Sequence, residues 1–154
     1  MINTSLFIRR VSSIFFFAGI LLLISATPLK DGLSEDVLKY TNQFRKSKGL
    51  PALTMRSDLN EIARKHSEDM ASGRCSFGHA GFNQRIVKAQ KLIKPFGGMA
   101  ENVAYGANNA QEAFSIWKNS TGHRKNMLGN YKYIGIGTAR NRRGVIFYTQ
   151  VFVR

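Results

Sequence analysis

Residues 117 to 137 constrain the fold more strongly than any other stretch of this 154-residue chain. Trp117 lies near the end of a helical pattern, and Gly122 precedes His123 at the start of a short helical turn. A glycine-punctuated strand, residues 133–137, follows almost at once. The stretch therefore predicts a histidine at a junction between helix and sheet, where we expect it to face a ligand or a partner side chain.

Four helices are predicted before the strands. Ser34 and Ser57 are expected to cap the first two, because a side-chain oxygen at that position accepts a hydrogen bond from the first helical amides. Asn83 is expected to cap a third helix that carries Arg85 and its lysines on exposed sides. A fourth helix is predicted over about 110–120.

The carboxyl end of the chain has the pattern of a hairpin. Two strands, residues 132–139 and 145–153, are joined by a turn at 141–144. Helices followed by a hairpin predict an α+β domain in which helices cover a small antiparallel sheet.

The amino terminus has the order of a secretory signal peptide. Arg9 and Arg10 precede an apolar run over 14–24, and Ser25 and Ala26 supply the small residues expected at a cleavage site. The run is shorter than the roughly 20 residues that a membrane span needs. We expect cleavage after Ala26 and export to the periplasm or the medium; an uncleaved membrane anchor is the alternative.

Three segments follow from this reading: a signal peptide at 1–26, a short leader at 27–33 and one domain at 34–154. Without the first 26 residues the formal charge is +12, which draws a protein toward anionic polymers or membranes. The cations are spread along the chain, so a solvated surface is the simpler interpretation.

Cys75 is the single cysteine, so no intramolecular disulfide can form and the apolar core must hold the domain together.

Few side chains are available for chemistry. Glu101 is the only carboxylate between residues 70 and 111, and none follows Glu112, which disfavours a glycosidase-like carboxylate pair. A G-x-S-x-G elbow is absent and Cys75 lacks a catalytic context, which disfavours a serine or thiol hydrolase.

His79, Glu101 and His123 form the remaining constellation, separated by 22 and 22 positions. Two imidazoles and a carboxylate are a ligand set of open zinc sites, in which water holds the fourth position. No H-E-x-x-H helix fixes two of them on one face, so hydrogen-bonded loop histidines remain the alternative. His66 lies on the apolar side of the second helix, which favours a core or cleft-edge histidine over a ligand.

Six motifs in order resemble the bacterial branch of the CAP superfamily, which groups cysteine-rich secretory, antigen 5 and pathogenesis-related 1 proteins and is also called SCP-like. The resemblance covers residue 34 to the end. The motifs are residues 63–67, 79–85, 100–104, 117–128, 133–137 and 148–152.

The resemblance implies a three-layer α-β-α sandwich with a central cleft that holds two histidines and two glutamates, and zinc in several members. His79, Glu101 and His123 match three of these positions, while Ser120 occupies the position of the second glutamate. A hydroxyl there removes a candidate general base and weakens metal affinity. His66 belongs to the bacterial pattern and is a candidate third imidazole.

Three functions follow as expectations. The first is an exported binding or effector domain whose cleft holds a divalent metal, a small ligand or a lipid, and whose basic surface contacts anionic envelope polymers or membranes. The second is a zinc-dependent hydrolase with metal on His79 and His123, Glu101 as base or ligand, and Asn102 and Ser120 orienting the substrate. The third and weakest is nucleic-acid binding, which predicts steep salt dependence. Ser120, which replaces the second glutamate, is the main reason that binding is expected before catalysis.

Overall fold

A computed structural model describes residues 32–154. The expected signal peptide at 1–26, and residues 27–31 of the expected leader, lie outside the described residues. No helix within residues 32–154 has both the length and the apolar character to cross a bilayer.

Five helices and four strands make up the described fold. In chain order they are α1 Gly32–Lys46, β1 Thr54–Met55, α2 Ser57–Ala71, α3 Phe82–Leu92, β2 Met99–Tyr105, α4 Ala110–Asn119, α5 Thr121–Met127, β3 Tyr133–Arg140 and β4 Ile146–Val153.

The four strands form one sheet in the order β1-β3-β4-β2. The predicted hairpin of β3 and β4 is confirmed, and β2 adds a second antiparallel partner to β4. The two-residue β1 pairs in parallel with β3 and makes the sheet mixed at that edge. Strand β2 was not expected as a strand, and it is an edge strand that carries Glu101.

Helices cover both faces of the sheet, which confirms the predicted α-β-α sandwich. Side chains alternate along β4, so Tyr148 and Phe152 enter one core and Val151 and Val153 enter the other. The first core includes Trp117 and residues from α1, α4 and α5. The second core lies between the sheet and the α2 and α3 helices.

Two glycines of β3 let α2 lie directly on the sheet. A Cβ at Gly137 would lie 2.0 Å from the main-chain nitrogen of Arg64, and one at Gly135 would lie 2.3 Å from the main chain of Leu59. Only hydrogen fits at these positions, because a real Cβ does not approach backbone so closely. The glycines therefore set the separation between α2 and the sheet.

The first two helix starts differ slightly from expectation. α1 is already helical at Gly32, so Ser34 lies inside its first turn. Ser57 is the first residue of α2, and Arg56 occupies the cap position without a side-chain capping bond.

The third helix also begins earlier than expected. Gly81 holds the cap position with φ 77°, and α3 starts at Phe82, so the prediction that Asn83 caps it was wrong. The left-handed backbone at Gly81 is one that glycine adopts without steric cost. Its carbonyl accepts the amide of Arg85 at 3.2 Å, which places Arg85 in the first turn.

Candidate functional site

Glu101 lies at the centre of the candidate site and is bound by Arg85. The Glu101 side chain is only 1% exposed. Arg85 donates from Nε to Oε2 at 2.6 Å and from Nη2 to Oε1 at 2.7 Å. The third nitrogen, Nη1, donates to the carbonyl of Ala80 at 2.7 Å. Such a bidentate pair fixes both groups and balances the buried charge.

The prediction that Arg85 lies on an exposed side of α3 was wrong. Arg85 is buried, and it shares the inner side of the helix with Ala89, one turn further along. A carboxylate as deeply buried as Glu101 needs a partner of opposite charge. The sequence signal was the helical spacing of Arg85 from Ala89.

His79 contacts the same carboxylate from the loop before α3. Its Nδ1 lies 2.9 Å from Oε1 of Glu101. A carboxylate accepts, so Nδ1 carries the hydrogen and the neutral ring keeps the lone pair on Nε2. The side chain is 50% exposed, which makes Nε2 available to a ligand.

His66 has a different role because its hydrogen is used inside the fold. Its Nε2 lies 2.8 Å from the carbonyl oxygen of Gly78, and a carbonyl can only accept. Nε2 therefore donates and has no lone pair for a metal. Burial first, and then the charge of Arg85, lower the pKa of His66, so the ring is neutral near pH 7. We interpret His66 as a positioning residue that holds the loop carrying His79.

His123 lies in α5, and its main-chain carbonyl accepts a hydrogen bond from Asn102 of β2. Its Nδ1 is buried and has no hydrogen-bond partner within residues 32–154. Burial first, and then the charge of His79, lower the pKa of His123. The lowered pKa keeps the His123 ring neutral near pH 7.

Asn102 is a buried residue that fixes the position of α5. It is fully buried, and its Nδ2 donates to the carbonyl of His123 at 3.1 Å and to Oε1 of Gln150 at 3.2 Å. Its Oδ1 accepts from Nδ2 of Asn126 at 2.9 Å. Nδ2 of Asn126 also reaches the main-chain carbonyl of Glu101 at 3.2 Å. These amides tie β2, β4 and α5 together, and Asn126 and Gln150 were not foreseen from the sequence.

Ser120 lies at the junction of α4 and α5. It is half-buried, and its hydroxyl makes no capping hydrogen bond to α5. Its main-chain oxygen accepts the amide of Arg124 at 2.8 Å. The junction sets the direction of α5, and hence of His123, through the main chain.

The side chains at this site could supply at most two imidazoles to a metal, and they do not form a three-ligand group. Within residues 32–154 no three histidine, cysteine or acidic side chains converge as a metal-binding group. Nε2 of His79 is left for a ligand, and the buried Nδ1 of His123 has no hydrogen-bond partner within residues 32–154. Glu101 is better placed as an outer carboxylate that orients His79, because Arg85 and His79 already bind both its oxygens.

Two features of the site decide what it can do chemically. It holds the imidazoles of His79 and His123, and within residues 32–154 the carboxylate of Glu101 is already bound by Arg85 and His79. A family model for CAP, the cysteine-rich secretory protein family, matches residues 38–152. The chain belongs to the CAP family.

Two Bacillus subtilis relatives support this assignment. The uncharacterized protein YkwD is 32% identical over 134 residues, which cover 84% of this chain and 50% of YkwD. The uncharacterized membrane protein YlbC is 32% identical over 123 residues, covering 78% of this chain and 34% of YlbC. The CAP chain therefore spans about half the length of the first relative and a third of the second.

Solved structures agree on the fold. An extracellular protein with an SCP domain from Bacillus anthracis is 29% identical with a TM-score of 0.67, covering 78% of this chain and 39% of that chain. An outer surface protein from Borrelia burgdorferi is 15% identical with a TM-score of 0.69, covering 84% and 98%. At that identity the second comparison shows the fold alone.

Proposed function

We propose that this chain is an exported CAP-domain binding protein whose cleft holds a small ligand or a loosely bound divalent metal between His79 and His123. Export is supported by the signal-peptide pattern of residues 1–26. It is also supported by the description of the Bacillus anthracis relative as extracellular. The basic surface of the domain, with a sequence pI near 10.4, favours anionic partners in the cell envelope.

The single observation that carries the proposal is the buried, unpaired Nδ1 of His123. A buried polar atom without a partner costs about 1–3 kcal/mol, so folded proteins rarely leave one. Because Nδ1 is buried, a ligand or water atom removes this cost only if the ring of His123 turns to meet it. His79 supplies a second nitrogen, Nε2, because its Nδ1 is bound to Glu101.

A divalent metal of the zinc type suits these two nitrogens. Bound there, it would supply Lewis-acid chemistry. Two imidazoles hold such an ion less firmly than the three or four protein ligands of ordinary zinc sites. We therefore expect exchangeable binding.

The alternative function is a zinc-dependent hydrolase in which Glu101 acts as base. The contacts of Glu101 disfavour it, because the side chain is buried and both oxygens bind Arg85. Ser120 offers no carboxylate in its place. Nucleic-acid binding is a weaker alternative, and an affinity that stays constant between low and high salt would exclude it.

Calorimetric titration of the purified exported protein with zinc chloride tests the proposal. We expect saturable binding that weakens at least tenfold in His79→Ala and in His123→Ala. His66→Gln is the matched control, because a glutamine amide can still donate to Gly78 and the zinc affinity should be unchanged.

Nitrogen-15 NMR of the histidine rings gives a second readout with the same samples. If zinc and a small-molecule library leave the rings of His79 and His123 unperturbed, the cleft is not a binding site. If the wild type hydrolyses a peptide, ester or phosphodiester and both alanine variants lose that activity, the hydrolase alternative replaces the binding function.

A further inference from the structure

We propose that a second site, centred on Tyr133, binds a phosphate group. This inference deepens the proposed function, because it assigns a place and a chemistry to the anionic partner. The site is a half-open pocket of about 630 Å³ at the start of β3, beside the last turn of α3. Five cationic side chains line it together with Tyr133, namely Arg56, Lys91, Lys94, Lys132 and Arg154.

Several of these cations are held in place by other groups. The guanidinium carbon of Arg56 and the Nζ of Lys132 each lie 5.2 Å from the centroid of the Tyr133 ring. Both distances are within the range of a cation–π contact. Arg154 donates from Nη2 to the carbonyl of Gly97 at 2.7 Å. The pocket is therefore a partly preorganised set of donors and not a random group of surface charges.

The charges in this pocket are poorly compensated. Asp58 binds Arg56 with an O···N distance of 2.5 Å, while the other four cations have no ion-pair partner within residues 32–154. Even with a terminal carboxylate counted at Arg154, cations outnumber acids five to two. The carboxyl end of α3 contributes at most about half a negative charge, which leaves the pocket strongly positive.

A phosphate group fits this arrangement better than a singly charged anion. Like charges held together destabilise the folded state, and a bound anion relieves the repulsion. A phosphate monoester carries about −1.5 to −2 charges near pH 7, and its oxygens can accept from several donors at once. Lysine ammonium groups and arginine forks are the side chains that bind phosphate in proteins.

The pocket is separate from the histidine cleft. Lys91 lies six residues after Arg85 on α3, which is roughly 9 Å along the axis at 1.5 Å per residue. No histidine lines the pocket. The two sites can therefore be disabled independently.

The test measures binding of inorganic pyrophosphate to the exported protein by calorimetry and thermal melting, with sodium chloride at matched ionic strength as reference. We expect a rise in melting temperature beyond that in chloride. The double substitution Lys91→Gln/Lys132→Gln should weaken the affinity at least tenfold. Lys88→Gln, also exposed on α3 but outside the pocket, is the matched control and should bind as the wild type does.

The double variant should melt at the same temperature as the wild type or higher without ligand, because it removes repulsion, and this shows that it folds. Sedimentation with phosphatidic acid vesicles, against phosphatidylcholine vesicles, identifies the source of the phosphate. Binding to those vesicles that depends on Lys91 and Lys132 assigns a lipid headgroup, and dependence seen only with pyrophosphate assigns a soluble ligand.

Three outcomes overturn the inference. The first is the same response to pyrophosphate and chloride together with no selective vesicle binding. The second is an equal loss of pyrophosphate affinity in Lys88→Gln, and the third is a loss of that affinity in His79→Ala or His123→Ala. The last outcome would place the anion in the cleft, so it would leave the proposed function standing. Failure of zinc or ligand binding at the histidines, in turn, leaves the phosphate pocket untouched.

Discussion

Arg85 and Glu101 form a buried bidentate ion pair, with Nε to Oε2 at 2.6 Å and Nη2 to Oε1 at 2.7 Å. His79 shares Oε1 through its Nδ1. The pair joins the first turn of α3 to the edge strand β2, and it neutralises the buried carboxylate of Glu101. It thereby fixes which nitrogen of His79 remains for a ligand.

Removal of Arg85 should destabilise the domain strongly. Arg85→Met leaves the Glu101 charge buried without its partner, for which we expect a loss of about 3–5 kcal/mol in the free energy of unfolding. Urea denaturation measures it. Lys88→Met on the same helix is exposed and should stay within about 0.5 kcal/mol. Arg85→Met/Glu101→Gln should recover part of the loss, and a cost below about 1 kcal/mol for Arg85→Met alone would contradict the central role of the pair.

Local sequence patterns predicted the helices and the hairpin because their signals lie within a few residues. The α4 helix and the β3–β4 hairpin agree with expectation within about two residues. Strand β2 was missed because the glycines that bound it, Gly97, Gly98 and Gly106, do not show which strand it pairs with. Its identity depends on pairing with residues almost 50 positions away.

The candidate site likewise contains residues that the sequence identifies and residues that only contacts between distant elements identify. His79, Glu101 and His123 were selected from residue type, the scarcity of acids and the family resemblance. The roles of Arg85 and Asn102 could not be read in this way, because each depends on contacts between distant elements. Arg85 was assigned to solvent by its charge alone, although its spacing from Ala89 placed it on the buried side of α3.

Gly137 should not tolerate a side chain. In Gly137→Ala the new Cβ would meet the main chain of Ala63 and Arg64 at 2.0–2.3 Å, so α2 must move away from the sheet. Overpacking of this kind costs about 1–3 kcal/mol or more. Thermal melting checks the effect. Gly122→Ala is the matched control, since its Cβ would meet nothing within 4 Å and alanine favours the helix. Equal melting temperatures for the two variants would refute the close approach.

Arg45 should hold α5 in place. This buried side chain donates from Nη1 to the carbonyls of Met127 and Gly129 at 2.8 Å each, and from Nε to Pro51 at 2.9 Å. Burial lowers the pKa of Arg45, yet it remains charged near pH 7. Arg45→Met leaves the carbonyls of Met127 and Pro51 without this donor, while that of Gly129 keeps the amide of Tyr131. We expect about 2–4 kcal/mol of destabilisation.

Hydrogen exchange separates a local effect from a general one in Arg45→Met. We expect the amides of α5, including those around His123, to lose protection before those of β4. The neighbouring substitution Lys46→Met removes an exposed charge and should change neither stability nor exchange. Uniform loss of protection across the sheet would argue against a specific role in positioning α5.

Stability should fall as the pH drops below about 6.5, because two histidines are held neutral in the folded state. Burial is the main cause that lowers the pKa of His66 and of His123. The unfolded chain, with histidine pKa values near 6.5, therefore binds more protons between that pH and the lower folded pKa. The stabilisation is complete above about pH 6.5 and is lost as the pH falls, by up to about 1.4 kcal/mol per pH unit for His66.

Urea unfolding at pH 7.5 and 5.5 measures this loss of stability. Both pH values lie above the range in which Asp58, Glu61 and Asp69, whose pKa values are lowered, begin to titrate. In His66→Gln the amide can still donate to Gly78, so the variant should fold. Its free energy of unfolding should fall less than that of the wild type between the two pH values. A loss as large as that of the wild type would show that His66 does not carry the effect.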